Sequence, residues 1–122
     1  MMLVTREFKF DAAHFIEGYN GDCANMHGHT WRFAVSIYGN VNKDTGMIID
    51  FKLIKSIITN KILTKLDHKI LNNELDFNPT AENLAMWIYD EIAPLVAVGK
   101  TRLESVRLWE NYPECYVEYF GG

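Results

Sequence analysis

Apolar and polar residues alternate along the start of the chain. Val4, Phe8, Phe10, Ala12 and His14 share one parity, while Thr5, Glu7, Lys9 and Asp11 share the other. This is the pattern of a strand with one buried face. Residues 16–25, IEGYNGDCAN, hold two glycines, two asparagines and an aspartate and read as a loop. The alternation then resumes, with His27, His29, Trp31, Phe33, Val35 and Ile37 on one face and Thr30, Arg32 and Ser36 on the other. GNVNKDTG closes that strand as a turn. The period then lengthens. Asp50 is placed to cap a helix in which Phe51, Ile54, Ile58 and Ile62 recur at helical spacing, with Leu66 extending the stripe. Pro79 and Thr80 start a second helix, whose face carries Leu84, Ile88, Ile92 and Leu95 and which ends near Gly99. Two strand-like stretches follow, Leu103–Glu110 and Cys115–Phe120, joined by a short turn containing proline.

The order β-β-α-α-β-β predicts an α+β fold, an antiparallel sheet of four strands with both helices on one face. Such an open sheet has two free edges, and pairing of edges between subunits would remove them. An oligomer is therefore expected.

The 122 residues suit one domain spanning 1–122, and 48% hydrophobic content with sixteen aromatics argues for a packed core rather than disorder. No repeat or linker-like run divides the chain. A formal charge of −4 supplies no field to hold nucleic acid or an anionic membrane, so neither is expected as a partner. No apolar run approaches the ~18 residues of a membrane span. MMLVTREFKF lacks the long apolar stretch of an export signal, so a cytoplasmic protein with reduced thiols at Cys23 and Cys115 is expected.

His27 and His29 stand two apart on a strand and so point to the same face, with His14 at matching parity on the neighbouring strand. Three imidazoles converging without a fourth protein ligand are the arrangement of a catalytic zinc with one position left for water or substrate. The alternative is three separate polar residues at strand ends. Cys23 lies four residues before His27 among Gly21, Asp22 and Asn25, a setting for an exposed, reactive thiol rather than an inert small hydrophobe. Asp67 and His68 adjoin at the end of the first helix. A carboxylate there can fix an imidazole tautomer, although neighbouring side chains usually diverge, and a helix-terminal histidine also favours the macrodipole. Glu110 shares parity with Val106 and Leu108 and so points inward. Its partner is either a cation of the fold or a ligand presenting adjacent N–H groups.

The stretches FDAAHF (10–15), CANMHGHTW (23–31), GMIIDF (46–51), LDHKILN (66–72), NPTAENLA (78–85) and WENYPECYVEY (109–119) together resemble the 6-pyruvoyltetrahydropterin synthase / 6-carboxytetrahydropterin synthase family, over nearly the whole chain and in order. The resemblance implies the tunnelling fold, in which subunit sheets join edge to edge into a barrel, as a trimer or a trimer paired into a hexamer. It implies one zinc per subunit on His14, His27 and His29. Cys23 would be the catalytic proton-transfer residue, with Asp67 and His68 as partners brought to it across a subunit interface. Glu110 would anchor the pterin through its 2-amino and ring N–H groups, and Thr80 would lie in the same pocket. The implied substrate is 7,8-dihydroneopterin triphosphate. The implied products are 6-carboxy-5,6,7,8-tetrahydropterin, acetaldehyde and triphosphate in queuosine biosynthesis, or 6-pyruvoyltetrahydropterin in the sister activity. Three residues between Cys23 and His27 look more like the carboxy type.

Asn111 stands where threonine is frequent in the family, and the loop from His14 to Cys23 holds only eight residues. No cation is assigned to the triphosphate; Lys9, Arg32 and Lys69 are those at hand. A cupin-like metal protein is disfavoured because no glutamate follows His29 within Thr30–Ala34. A non-catalytic zinc- or pterin-binding module would keep the histidines without needing Cys23 or His68.

Overall fold

β1 (Met2–His14) and β2 (His27–Gly39) pair antiparallel along their whole length, from Met2 opposite Gly39 to His14 opposite His27. They do so in a computed structural model that describes residues 1–122. β4 (Arg102–Asn111) adds antiparallel to β2, and β5 (Cys115–Tyr119) to β4. One strand was not expected. Lys69–Ile70 forms a short β3 that pairs parallel with Ala12 and Ala13, so the sheet is mixed, five-stranded and ordered β3-β1-β2-β4-β5. Two residues carry no periodicity, so alternation could not reveal this strand. β3 covers only the end of β1, at the end where His14 lies.

The first helical region opens with α1 (Phe51–Ile58), where the Asp50 carboxylate accepts the Lys52 N–H at 2.8 Å. A π-helical turn, Thr59–Leu63, follows, and then a short α2 (Thr64–Leu66). Ile54, Ile58, Ile62 and Leu66 recur every four residues through this region, and all four side chains are at most 1% exposed. Phe51 precedes this row and is 53% exposed, so it is not part of the buried stripe.

After the short α3 (Leu71–Glu74), α4 (Ala81–Val96) begins at Thr80, whose hydroxyl accepts the Asn83 N–H at 3.1 Å. Burial on α4 follows Leu84, Ile88, Ile92 and Val96, a ridge of four-residue steps across the sheet. Leu95 is thereby left at the rim, exposed rather than facing the core. Both long helical regions pack on the same face of the sheet, against Phe10, Phe33, Val35, Val106 and Leu108. No helix is long and apolar enough to cross a membrane.

Candidate active site

The buried rows of β1 and β2 end in polar groups, and those groups meet. Trp31, fully buried, forms the floor: it stacks near Phe10 and donates its indole N–H to the Ala12 carbonyl at 3.3 Å. Above it lie the rings of His14, His27 and His29, with centroids 4.5, 5.3 and 4.8 Å apart. Register makes this inevitable, since His14 faces His27 and Ala12 faces His29 across the β1–β2 ladder.

Hydrogen bonds at the far side of two rings decide what the near side offers. His14 Nδ1–H donates to the Pro79 carbonyl at 2.8 Å, and His27 Nδ1–H donates to the Asn25 carbonyl at 2.7 Å. Each bond fixes the tautomer and leaves Nε2 with a free lone pair, as outer partners do for metal-ligating histidines. Burial holds His14 below its ordinary value, against the opposing Pro79 bond, so the ring is neutral near pH 7. The Nε2 atoms of His14 and His29 are both buried without a hydrogen-bond partner. His29 Nε2 does lie 3.1 Å from Glu110 Oε1, but without hydrogen-bond geometry. One ligand atom from each of His14, His27, His29 and Glu110 lies within 4.8 Å of the others. Orphaned imidazole lone pairs converging beside a carboxylate fit a divalent transition metal, which accepts nitrogen and oxygen donors.

A second group gathers on the other parity. Asp67 accepts the Asp11 backbone N–H at 3.0 Å, and its Oδ1 lies 3.0 Å from His68 Nδ1. His68 adopts a left-handed φ of 61°, and its own N–H donates to the Asp11 carbonyl at 2.6 Å. That backbone folds the imidazole back onto the preceding carboxylate, so the Asp67–His68 contact forms inside one chain although adjacent side chains normally diverge. The Asp11 N–H first, and His68 after it, hold the Asp67 carboxyl below the usual range. The sequence reading missed Asp11, whose carboxylate receives the Thr30 hydroxyl. The signal was there in the register, because Asp11 and Thr30 are cross-strand partners of outward parity.

An open groove of about 460 Å³ runs past Asp11, Gly28, His29, Thr30, His68 and Lys69, touching both groups. A hollow of about 320 Å³ at the opposite end of β1, between Met2–Thr5 on one side and Met47, Ile48, Ile49 and Phe51 on the other, is lined by no titratable side chain and offers no comparable chemistry. Cys23 sits half-buried in the single 3-10 turn Asp22–Ala24 and joins neither group. Thr80 is a helix cap beside the carbonyl that orients His14. Arg32 pairs with Glu7 at 3.0 Å and lies 4.0 Å above the Tyr112 ring, so it is already engaged.

Fold and site define an α+β protein of the tunnelling-fold type, with three clustered histidines that could hold a metal ion at one end of its sheet. The chain belongs to the 6-pyruvoyl tetrahydropterin synthase family, whose model matches residues 3–122. It is 32% identical to a 6-carboxy-5,6,7,8-tetrahydropterin synthase of Haemophilus influenzae, over 98% of this chain and 99% of that one. It is 40% identical to a 6-pyruvoyl tetrahydrobiopterin synthase of Dictyostelium discoideum, over 75% and 68% of the two chains. The structure of Caenorhabditis elegans 6-pyruvoyl tetrahydropterin synthase superposes with a TM-score of 0.88 at 25% identity, covering 99% and 96%. The protein is thus an enzyme of a lyase family.

Proposed function

We propose that this chain is a zinc-dependent lyase converting 7,8-dihydroneopterin triphosphate to 6-carboxy-5,6,7,8-tetrahydropterin, acetaldehyde and triphosphate, as in queuosine biosynthesis. The observation that carries it is the pair of buried, unpartnered Nε2 atoms of His14 and His29 within the three-histidine cluster. The near-full-length likeness to 6-carboxytetrahydropterin synthases supports the product.

His14, His27 and His29 hold one zinc per subunit, which when bound supplies Lewis-acid polarisation of a substrate oxygen. Glu110 receives the pterin 2-amino and ring N–H groups on its carboxylate, a charge-assisted pair that fixes the ring's orientation. Thr80 borders the same pocket. Asp67 Oδ1, 3.0 Å from His68 Nδ1, favours the tautomer protonated there, which leaves Nε2 as the proton acceptor of that ring. Cys23 moves the other proton. His68 is 77% exposed within one chain and Cys23 is not in its group, which supports a site completed between subunits of a homo-oligomer, a trimer or hexamer. The uncovered part of the β1 edge supports the same assembly. Two unpaired cysteines suit the reducing cytoplasm, where we place the protein. The only partners in this reading are the pterin triphosphate and further copies of the chain.

The test is the mass of the pterin formed when zinc-loaded protein is incubated with 7,8-dihydroneopterin triphosphate. A 6-carboxytetrahydropterin signal with acetaldehyde is expected. A 6-pyruvoyl product would move the chain to the sister activity, which the identity to the Dictyostelium relative favours. Untouched substrate with zinc bound would leave a binding module.

A further inference from the structure

Beyond His14 the β1 ladder stops, yet the next residues are held as a strand would be. Phe15 N–H donates to Asn72 Oδ1 at 3.0 Å, and Asn72 Nδ2 donates back to the Phe15 carbonyl at 3.0 Å. Two residues on, Glu17 N–H donates to Asn78 Oδ1 at 3.0 Å, and Asn78 Nδ2 donates to the Glu17 carbonyl at 3.1 Å. Each primary amide offers one acceptor and one donor to a single residue, as a paired strand does. Between them Ile16 turns its N–H the other way, onto the Cys23 carbonyl at 2.7 Å. Asn78 is itself anchored, because its carbonyl receives Asn83 Nδ2 at 3.0 Å and the Thr80 N–H at 2.8 Å. Residues 15–17 are therefore a short rail, with two asparagine amides along one side and the thiol-bearing turn along the other.

We propose that Asn72 and Asn78 are positioning residues for Cys23, acting through Phe15, Glu17 and the Ile16–Cys23 hydrogen bond. The inference rests on the reading of Cys23 as the proton-transfer residue. Only an amide completes both bonds at these places. An aspartate of the same shape still accepts the backbone N–H, but sets its second oxygen against a backbone carbonyl.

The variants Asn72→Asp and Asn78→Asp, compared with the wild type as zinc-loaded protein, test this. Amide exchange at Ile16 should rise about tenfold in either variant, although Ile16 touches neither asparagine. Cys23 should alkylate faster with iodoacetamide, and zinc content should stay at one per subunit. Turnover of 7,8-dihydroneopterin triphosphate should lose about ten- to a hundredfold in kcat, with KM within about twofold. Unchanged Ile16 exchange, zinc loss in step with activity, or a raised KM with kcat intact would each overturn the assignment. Should a variant fail to fold, the wild type decides, since fast-exchanging Phe15, Ile16 and Glu17 amides contradict the clamp. Should the wild type leave this substrate untouched, the proposed function fails, while exchange and alkylation still judge the clamp.

Discussion

If the proposed metal sits on the three histidines, stripping it should cost this protein heat resistance by an amount the site itself sets. Without metal, the buried Nε2 atoms of His14 and His29 have no partner, and each such acceptor costs roughly 1–3 kcal/mol. A metal ion held there would take up both lone pairs. At free zinc about a hundredfold above its dissociation constant, linkage adds about 2.7 kcal/mol to folding. For a chain of 122 residues, each kcal/mol moves Tm by about 3–5 °C, so zinc should raise Tm by roughly 10 °C over chelated protein. Circular dichroism melts at pH 7, with EDTA and with buffered zinc, read the difference. Burial keeps His14 neutral there, so no proton competes for its nitrogen.

The control variant decides where the metal sits. His14→Ala should melt at the same temperature with or without zinc, while His68→Ala should keep the full shift. A wild-type Tm indifferent to zinc would refute the reasoning. So would a shift that survives in His14→Ala and disappears in His68→Ala, since the metal would then occupy the Asp11, Asp67 and His68 group.

Further outcomes are expected elsewhere in the molecule. Cys23→Ala and His68→Ala should each bind zinc but lack turnover, and remixing the two after unfolding should restore about a quarter of the sites if these residues meet across subunits; zero recovery would place the site within one chain. Ile62→Ala, at a fully buried position in the π turn, should lose about 2–5 kcal/mol in urea unfolding, and a loss below about 1 kcal/mol would mean that the turn repacks. Asp67 has its carboxyl held below 3.8 in the folded chain, so its contribution is complete above pH 3.8 and is lost as pH falls through the folded value. With its side chain 41% exposed, the gap between wild type and Asp67→Asn should stay under about 1 kcal/mol at neutral pH and close in acid, and a gap that widens in acid contradicts the assignment.

The features that could be read in the sequence follow from simple periods. Parity alone aligned His14, His27 and His29, because antiparallel pairing preserves it and one face must bury Phe10, Trp31 and Phe33. Glu110 was legible for the same reason, and it reaches His29. What escaped depends on geometry without a period. β3 is two residues long, and its partner on β1 is chosen by where α2 ends. The Asp67–His68 contact needs a left-handed backbone at a histidine, which no pattern of side chains announces. The π turn escaped as well, because rows in four-residue steps mark the buried faces of both helical regions, Ile54 to Leu66 and Leu84 to Val96, and only the first contains the wide turn.

Asn72 gives these separate observations a common consequence. It lies in α3, directly after β3, in the segment that carries Asp67 and His68. Its amide grips Phe15, on the path to Cys23. Were thiol and imidazole partners within one chain, this tie would simply brace one site. On the reading that they meet across subunits, the thiol held by Asn72 and the imidazole beside Asn72 serve two different sites. A displacement of β3 in one subunit would then move His68 of one site and Cys23 of the next. The short β3, which pairs with β1 at only Ala12 and Ala13, is the element that such a displacement would work through. On that reading the tie between the two sites consists of chain connectivity and three hydrogen bonds, the two that Asn72 makes with Phe15 and the one from Ile16 to Cys23.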